Sequence, residues 1–136
     1  EEGATPKERS RKNETDYPWG TEFPPRSVRQ GNYADSAFHK KFPKEKWIDG
    51  YTDGFATTSS VGAFEPNALG IHDLGGNVWE WCEDFIEPGA AEHVLRGGSW
   101  VNSTSLSMLS SARINYAPDR RSRDIGFRIV LETAGR

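Results

Sequence analysis

The segment HDLGGNVWEWCED, residues 72–84, sets Asp73 and Glu80 on either side of a Gly75-Gly76-Asn77 turn. Two carboxylates, with main-chain carbonyls turned inward by a glycine bend, are the donor set that a hard cation such as Ca2+ takes. The same residues also suit a plainer arrangement, a solvent-facing Glu80 on a half-buried strand. Other chemistry is thinner. His39, His72 and His93 show neither i,i+4 nor H-x-H spacing, so they point to no transition-metal site. Cys82 is the only cysteine, which excludes an internal disulfide and is compatible with a reducing compartment. Its expected role is that of a small buried side chain. Arg113, Arg120, Arg121 and Arg123 cluster late in the chain. They suit an anionic group, or pairing with Asp119 and Asp124.

The elements that must position these residues are few. NVWEWCEDF (77–85) alternates, putting Trp79 and Trp81 on one face of a strand and Val78, Glu80 and Cys82 on the other. HVLRGGSW (93–100) is a second predicted strand running into a Gly-Gly bulge, and DIGFRIVLE (124–132) is a third, with Ile125, Phe127, Ile129 and Leu131 on one face. SLSMLSSARI (105–114) fits a helix or a strand equally. A short helical turn over residues 38–46 is interrupted by Pro43. Asp49-Gly50 and Asp53-Gly54 mark tight turns. The first sixteen residues contain almost no apolar side chain and form a polar tether or surface loop, and residues 133–136 are a tail. Few strands, long loops and aromatic anchors predict an α+β fold of low regular content. Loops of such length are usually functional or pinned by an ion.

Bulk properties set the outer bounds. The 136 residues suffice for one core, not two. Apolar residues make up 35% and aromatics 12%, so burial must lean on large rings. A net charge of -3 with dispersed basic residues excludes a nucleic-acid footprint. The basic run at residues 9–12 lies among acids and reads as solvated surface. No stretch is long or apolar enough to span a membrane.

YPWG, DGFATTSSVGAFEPNALGIHDLGGNVWEW, RGGSW and GFR occur here in order. Together they resemble the sulfatase-modifying-factor family, which includes the formylglycine-generating enzymes and has a variant of the C-type lectin fold. The likeness runs over residues 17–131 and implies two calcium sites. One would use Asp73 and Glu80 side chains with the carbonyls of Gly76 and Val78. The other would use Asp35 and Asp53 side chains with the carbonyls of Ser36 and Phe55. The generating enzymes have Asn where this chain has Asp35 and Asp73, a change that keeps oxygen donors and adds negative charge. The DGFATT form is similar to members in bacterial multidomain proteins, some attached to protein kinases.

The departures decide the functional expectation. The generating enzymes carry two redox-active cysteines after the Gly-Gly-Ser-aromatic motif, where they bind copper and oxidise a substrate cysteine. Asn102 and Ser107 stand there in this chain. An amide and a hydroxyl do not hold Cu(I) as thiolates do, so copper is not expected. Ser99 matches the family's active-site serine, but no general base lies near it in sequence and a turn hydroxyl is its expected role. The family's opening strands are also missing. The chain is thus expected to be the carboxy-terminal part of a longer domain, with residues 17–132 its core and the upstream part of that domain a partner. The resulting expectation is a noncatalytic, calcium-stabilised scaffold. Trp100, Asn102, Ser107 and Arg113 would bind a protein, peptide or glycan, since the small polar residues of 102–111 suit adaptable hydrogen bonding. Two rivals follow from the same resemblance. One is an oxidoreductase domain, of the generating or the iron sulfoxide-synthase type. The other is a hypervariable display protein of a diversity-generating retroelement, with variation confined between Trp100 and Arg123.

Overall fold

The computed structural model describes residues 3–10, 13–26 and 30–131. Part of the basic run at 9–12, Glu132 and the tail at 133–136 lie outside the described residues. Four strands form one sheet: β1 (Trp79–Phe85), β2 (His93–Arg96), β3 (Ile114–Tyr116) and β4 (Ile125–Gly126), in the spatial order β3-β2-β1-β4. β1 runs antiparallel to β2, with Trp81 opposite Leu95, and parallel to β4, with Trp79 opposite Ile125. β2 runs antiparallel to β3, with Leu95 opposite Ile114. That register lines Trp79, Trp81, Leu95, Ile114 and Ile125 on one face. They pack with Tyr17, Tyr33, Ile48, Tyr51, Met108 and Leu109 as the main core. The alternation of NVWEWCEDF therefore has its expected cause: both tryptophans face inward.

Rings carry much of the burial. Tyr17 stacks on Trp19 with centroids 5.0 Å apart, and Trp19 meets Tyr33 edge-on at 5.4 Å. A second cluster joins Ala34, Phe38 and Trp100, with Phe42 and Trp47 packed against it. Tyr33 lies at the junction of several loops. Built Cβ atoms on Gly31, Gly75, Gly76 and Gly98 would each fall within 3.7 Å of its ring or hydroxyl. Only glycine lets main chain come that close to a buried ring.

The described residues also form three short helices: α1 (Pro6–Arg9), α2 (Ser36–Lys41) and α3 (Ser105–Met108). α1 starts on a capping box in which Thr5 and Glu8 serve each other. Its Lys7 amide donates to Ile86 O (3.1 Å) at the end of β1. The segment read as undecided between helix and strand divides. Residues 105–108 make one helical turn, and the chain becomes strand again only at Ile114. α2 begins earlier than the expected 38–46 and ends before Pro43, because Asp35 caps it through the Phe38 amide (2.8 Å).

The third predicted strand requires correction. Only Ile125 and Gly126 of DIGFRIVLE pair with β1. β4 is an outer strand of the sheet, with no neighbour on its far side among the described residues. Beyond Gly126 the residues leave the ladder, and Phe127, Ile129 and Leu131 are 75%, 86% and 85% exposed instead of sharing a buried face. A strand needs a partner for its backbone groups, and the period-2 pattern alone cannot supply one.

Candidate functional site

The first site residues lie in the loops before the sheet. Asp35 is fully buried. One carboxylate oxygen accepts the α2 cap bond, and the other accepts the Asp53 and Gly54 amides at 2.8 and 2.9 Å. Asp53 in turn accepts the Tyr33 and Phe55 amides, each at 2.9 Å. Asp35, Ser36, Asp53 and Phe55 are thus gathered in one corner, with two acids in mutual contact. Burial pushes the Asp53 carboxyl up to about 7, and the Asp35 charge adds to that shift against the two amide bonds. The Gly50 and Gly54 turns take the left-handed backbone their Asp-Gly steps predicted.

The second corner is organised by a residue that sequence reasoning missed. The Arg128 guanidinium grips Glu80 with two bonds, Nε to Oε2 at 2.6 Å and Nη2 to Oε1 at 2.5 Å. It also donates to the carbonyls of His72 and Asp73, both at 3.0 Å. Asp73 turns one oxygen to the Gly62 amide (2.7 Å), and its Oδ1 is buried without a partner. Gly76 and Val78 lie between the two acids in the turn and at the start of β1. The signal that could have found Arg128 is its place in the GFR motif, two residues beyond the end of β4, the strand that pairs with Glu80.

The turn after β2 forms the third group. Gly97 and Gly98 take left-handed backbone and turn the chain so that Ser99 and Trp100 point inward. Asn102 Oδ1 accepts both the amide and the hydroxyl of the fully buried Ser99, at 2.7 and 3.0 Å. The Asn102 carbonyl also receives the Ala34 amide. Ser107 Oγ donates to Thr104 O at 2.8 Å. A Cβ on Gly98 would touch both Asn102 Oδ1 and Ser107 O, so the fold brings positions 102 and 107 around one glycine. Trp100, expected at a recognition surface, is 2% exposed. It packs against Phe38 and Phe42, and the Arg123 guanidinium lies 5.3 Å above its ring. Arg113 lies elsewhere, bonded to the carbonyls of Arg9 and Ser111 at the edge of an open cleft.

The histidines stay apart. His39 stacks on Trp47, His72 bonds Phe64 O, and His93 bonds Glu83 O. Among the described residues no three of the His, Cys, Asp and Glu side chains converge. Cys82 is half-buried and burial pushes its thiol up, away from the reactive thiolate.

Residues 3–133 match the Sulfatase-modifying factor enzyme 1-like domain. The chain belongs to the sulfatase-modifying-factor family. Its relatives include both working and inactive forms. It is 38% identical over 126 residues to the mouse "Inactive C-alpha-formylglycine-generating enzyme 2", covering 88% of this chain and 37% of that protein. It is 32% identical over 136 residues to the "Formylglycine-generating enzyme" of Thermomonospora curvata, covering 85% and 43%. The chain therefore spans less than half the length of these relatives. Among solved structures it resembles PvdO from Pseudomonas aeruginosa with a TM-score of 0.58 at 25% identity, over 90% of this chain and 49% of that one. The fold is the α+β, C-type-lectin-like architecture of the sulfatase-modifying-factor domain, with short helices, a small mixed sheet and long loops.

Proposed function

We propose that this sulfatase-modifying-factor domain is a noncatalytic, calcium-stabilised scaffold whose loop at residues 102–111 recognises a protein, peptide or glycan. The observation that carries the reading is the Asn102 amide. At a position where the resemblance places a redox thiol, Asn102 Oδ1 is committed to two bonds from Ser99. Ser107 offers a hydroxyl bonded to its own turn. Neither group is a soft ligand for copper, and neither passes electrons as a thiol pair does. The likeness to an inactive mouse relative is consistent with this reading. The decisive assay incubates the chain with a C-x-P-x-R peptide, copper and oxygen, and reads the peptide mass. An unchanged peptide is expected, and any conversion of its cysteine to formylglycine ends the proposal.

Calcium suits the two corners differently. At the first, the buried Asp35 and the half-buried Asp53 share a set of amide donors, and burial, with the Asp35 charge adding to it, raises the Asp53 carboxyl. Asp35 Oδ2 already accepts two amides, but Asp35 Oδ1 and both Asp53 oxygens accept one bond each and keep a second lone pair, so the two acids, with the Ser36 and Phe55 carbonyls, fit a hard divalent ion. At the second, the unpartnered Asp73 Oδ1 favours a cation, but Arg128 already neutralises Glu80. An ion there requires Glu80 to exchange its partner. Bound calcium would supply charge compensation and loop rigidity, and no reactive step. Adding calcium to chelated protein is expected to raise the melting midpoint, since a ligand of the native state alone must do so. Asp53→Asn should abolish most of that rise, and an unmoved wild-type midpoint rejects the ion assignment.

A further inference from the structure

A cleft of about 680 Å3 opens between Arg9, Asn13, Glu14 and Asp16 on one side and the β2–β3 end of the sheet on the other, far larger than one ion needs. Every residue lining it is polar or charged. Arg9, Arg96 and Arg113 contribute three guanidinium groups, and Asn13, Glu14, Asp16, Ser110 and Ser111 the rest. Two of the arginines are held in place by main chain. Arg96 donates to Ser110 O at 2.8 Å, and Arg113 donates to Ser111 O and Arg9 O at 2.8 and 3.2 Å. Among the described residues neither forms an ion pair, so their charge is positioned but not cancelled by contact. The balance of charge at Arg113 is also cationic. After burial, Arg96 and Arg9 depress its pKa more than Cys82 and Asp84 raise it. Asp16 is partly engaged already, by the Asn13 side-chain amide at 2.5 Å.

We propose that this cleft is a second ligand site, separate from the Asn102 turn, for a sugar bearing a phosphate or sulfate ester. Guanidinium forks match the oxygens of a tetrahedral anion, and three of them at one cleft exceed what a solvated surface requires. The remainder of the wall selects what carries the anion. Carboxylates of Glu14 and Asp16 and the Asn13 and serine groups accept and donate to hydroxyls, while none of the lining residues is hydrophobic or aromatic. The cleft volume lies within the range of small-ligand sites.

The test titrates the full chain with N-acetylglucosamine 6-phosphate and 6-sulfate while amide resonances are followed. N-acetylglucosamine, inorganic phosphate, inorganic sulfate and a phosphoserine peptide are the comparison probes. Resonances of Asn13, Ser110 and Ser111 are expected to move. The sugar esters should bind at least about tenfold tighter than the neutral sugar, as loss of charged hydrogen bonds implies. Affinity should fall as salt rises. Arg113→Gln should weaken the esters by about tenfold or more. Should that variant lose its native spectrum, Arg96→Gln carries the same expectation from an exposed position. Glu14→Gln, also exposed, should weaken the esters but not the inorganic ions. Equal binding of the neutral sugar, shifts confined to other surfaces, or folded arginine variants of undiminished affinity overturn the proposal. Inorganic ions binding as tightly as the esters, or the phosphopeptide binding more tightly, overturn the sugar assignment.

Discussion

At the scale of single residues, function turns on what one atom accepts. Asn102 Oδ1 satisfies two donors of a serine that no water reaches. Asn102→Ala should therefore cost about 1–3 kcal/mol, the penalty of leaving buried donors unmade. Urea unfolding would show it as a lower midpoint at unchanged slope. Asn102→Asp retains both acceptors and should cost less. Asp53 makes a second prediction, for chelated protein. Its folded carboxyl holds a proton up to about 7, whereas the ordinary value for the group is 3.8. Between those values the native state keeps a proton that the unfolded chain has released, so this group's contribution is complete below 3.8 and is lost as pH climbs through about 7. The melting midpoint of chelated wild type should carry that downward trend, and Asp53→Asn should remove it. A third prediction concerns the Tyr33 hydroxyl, buried with no partner. Tyr33→Phe removes an unsatisfied group while keeping the ring, and its melting midpoint should stay level or rise.

At the scale of elements, the sheet was readable where side chains alternate against a core that exists. Trp79 and Trp81 announced β1, and His93–Arg96 ended where two glycines turn the chain. What sequence could not give was partnership. Phe127 and Ile129 carry the same alternation as β1, yet among the described residues they have no strand beside them. The Arg128–Glu80 bond joins positions 48 residues apart, beyond any local pattern. Asp35 and Asp53 entered as oxygen donors through the family resemblance, whereas their shared amide cradle depends on two segments, 33–38 and 53–55, meeting. The turn entering β1 is the most sensitive of these pieces. Gly76 has φ +81, and a Cβ there would fall 2.6 Å from Asn32 O. Gly76→Ala should lose the roughly 1–3 kcal/mol of a left-handed backbone and more from the main-chain clash. Calorimetry should place it well below Gly54→Ala, whose Cβ meets nothing within 4 Å.

At the scale of the whole molecule, the chain presents an apolar strip at its far end. Phe127, Ile129, Val130 and Leu131 are all at least 75% exposed and follow directly from the outer strand. Contiguous apolar surface beside an open strand edge promotes association. Sedimentation should show concentration-dependent growth that a paired change, Ile129→Lys with Leu131→Glu, reduces. An unaltered profile would place the contact elsewhere. The packing around Tyr33 has a different reach. A side chain added at Gly31, Gly75, Gly76 or Gly98 would meet this one residue, so the acid corners and the turn holding Asn102 share a common wall. Loops braced on a single surface cannot drift independently. A disturbance seeded near Asp53 should register in the spectral signature of residues 98–102, carried by the Tyr33 ring and by the Ala34 amide bonded to the Asn102 carbonyl.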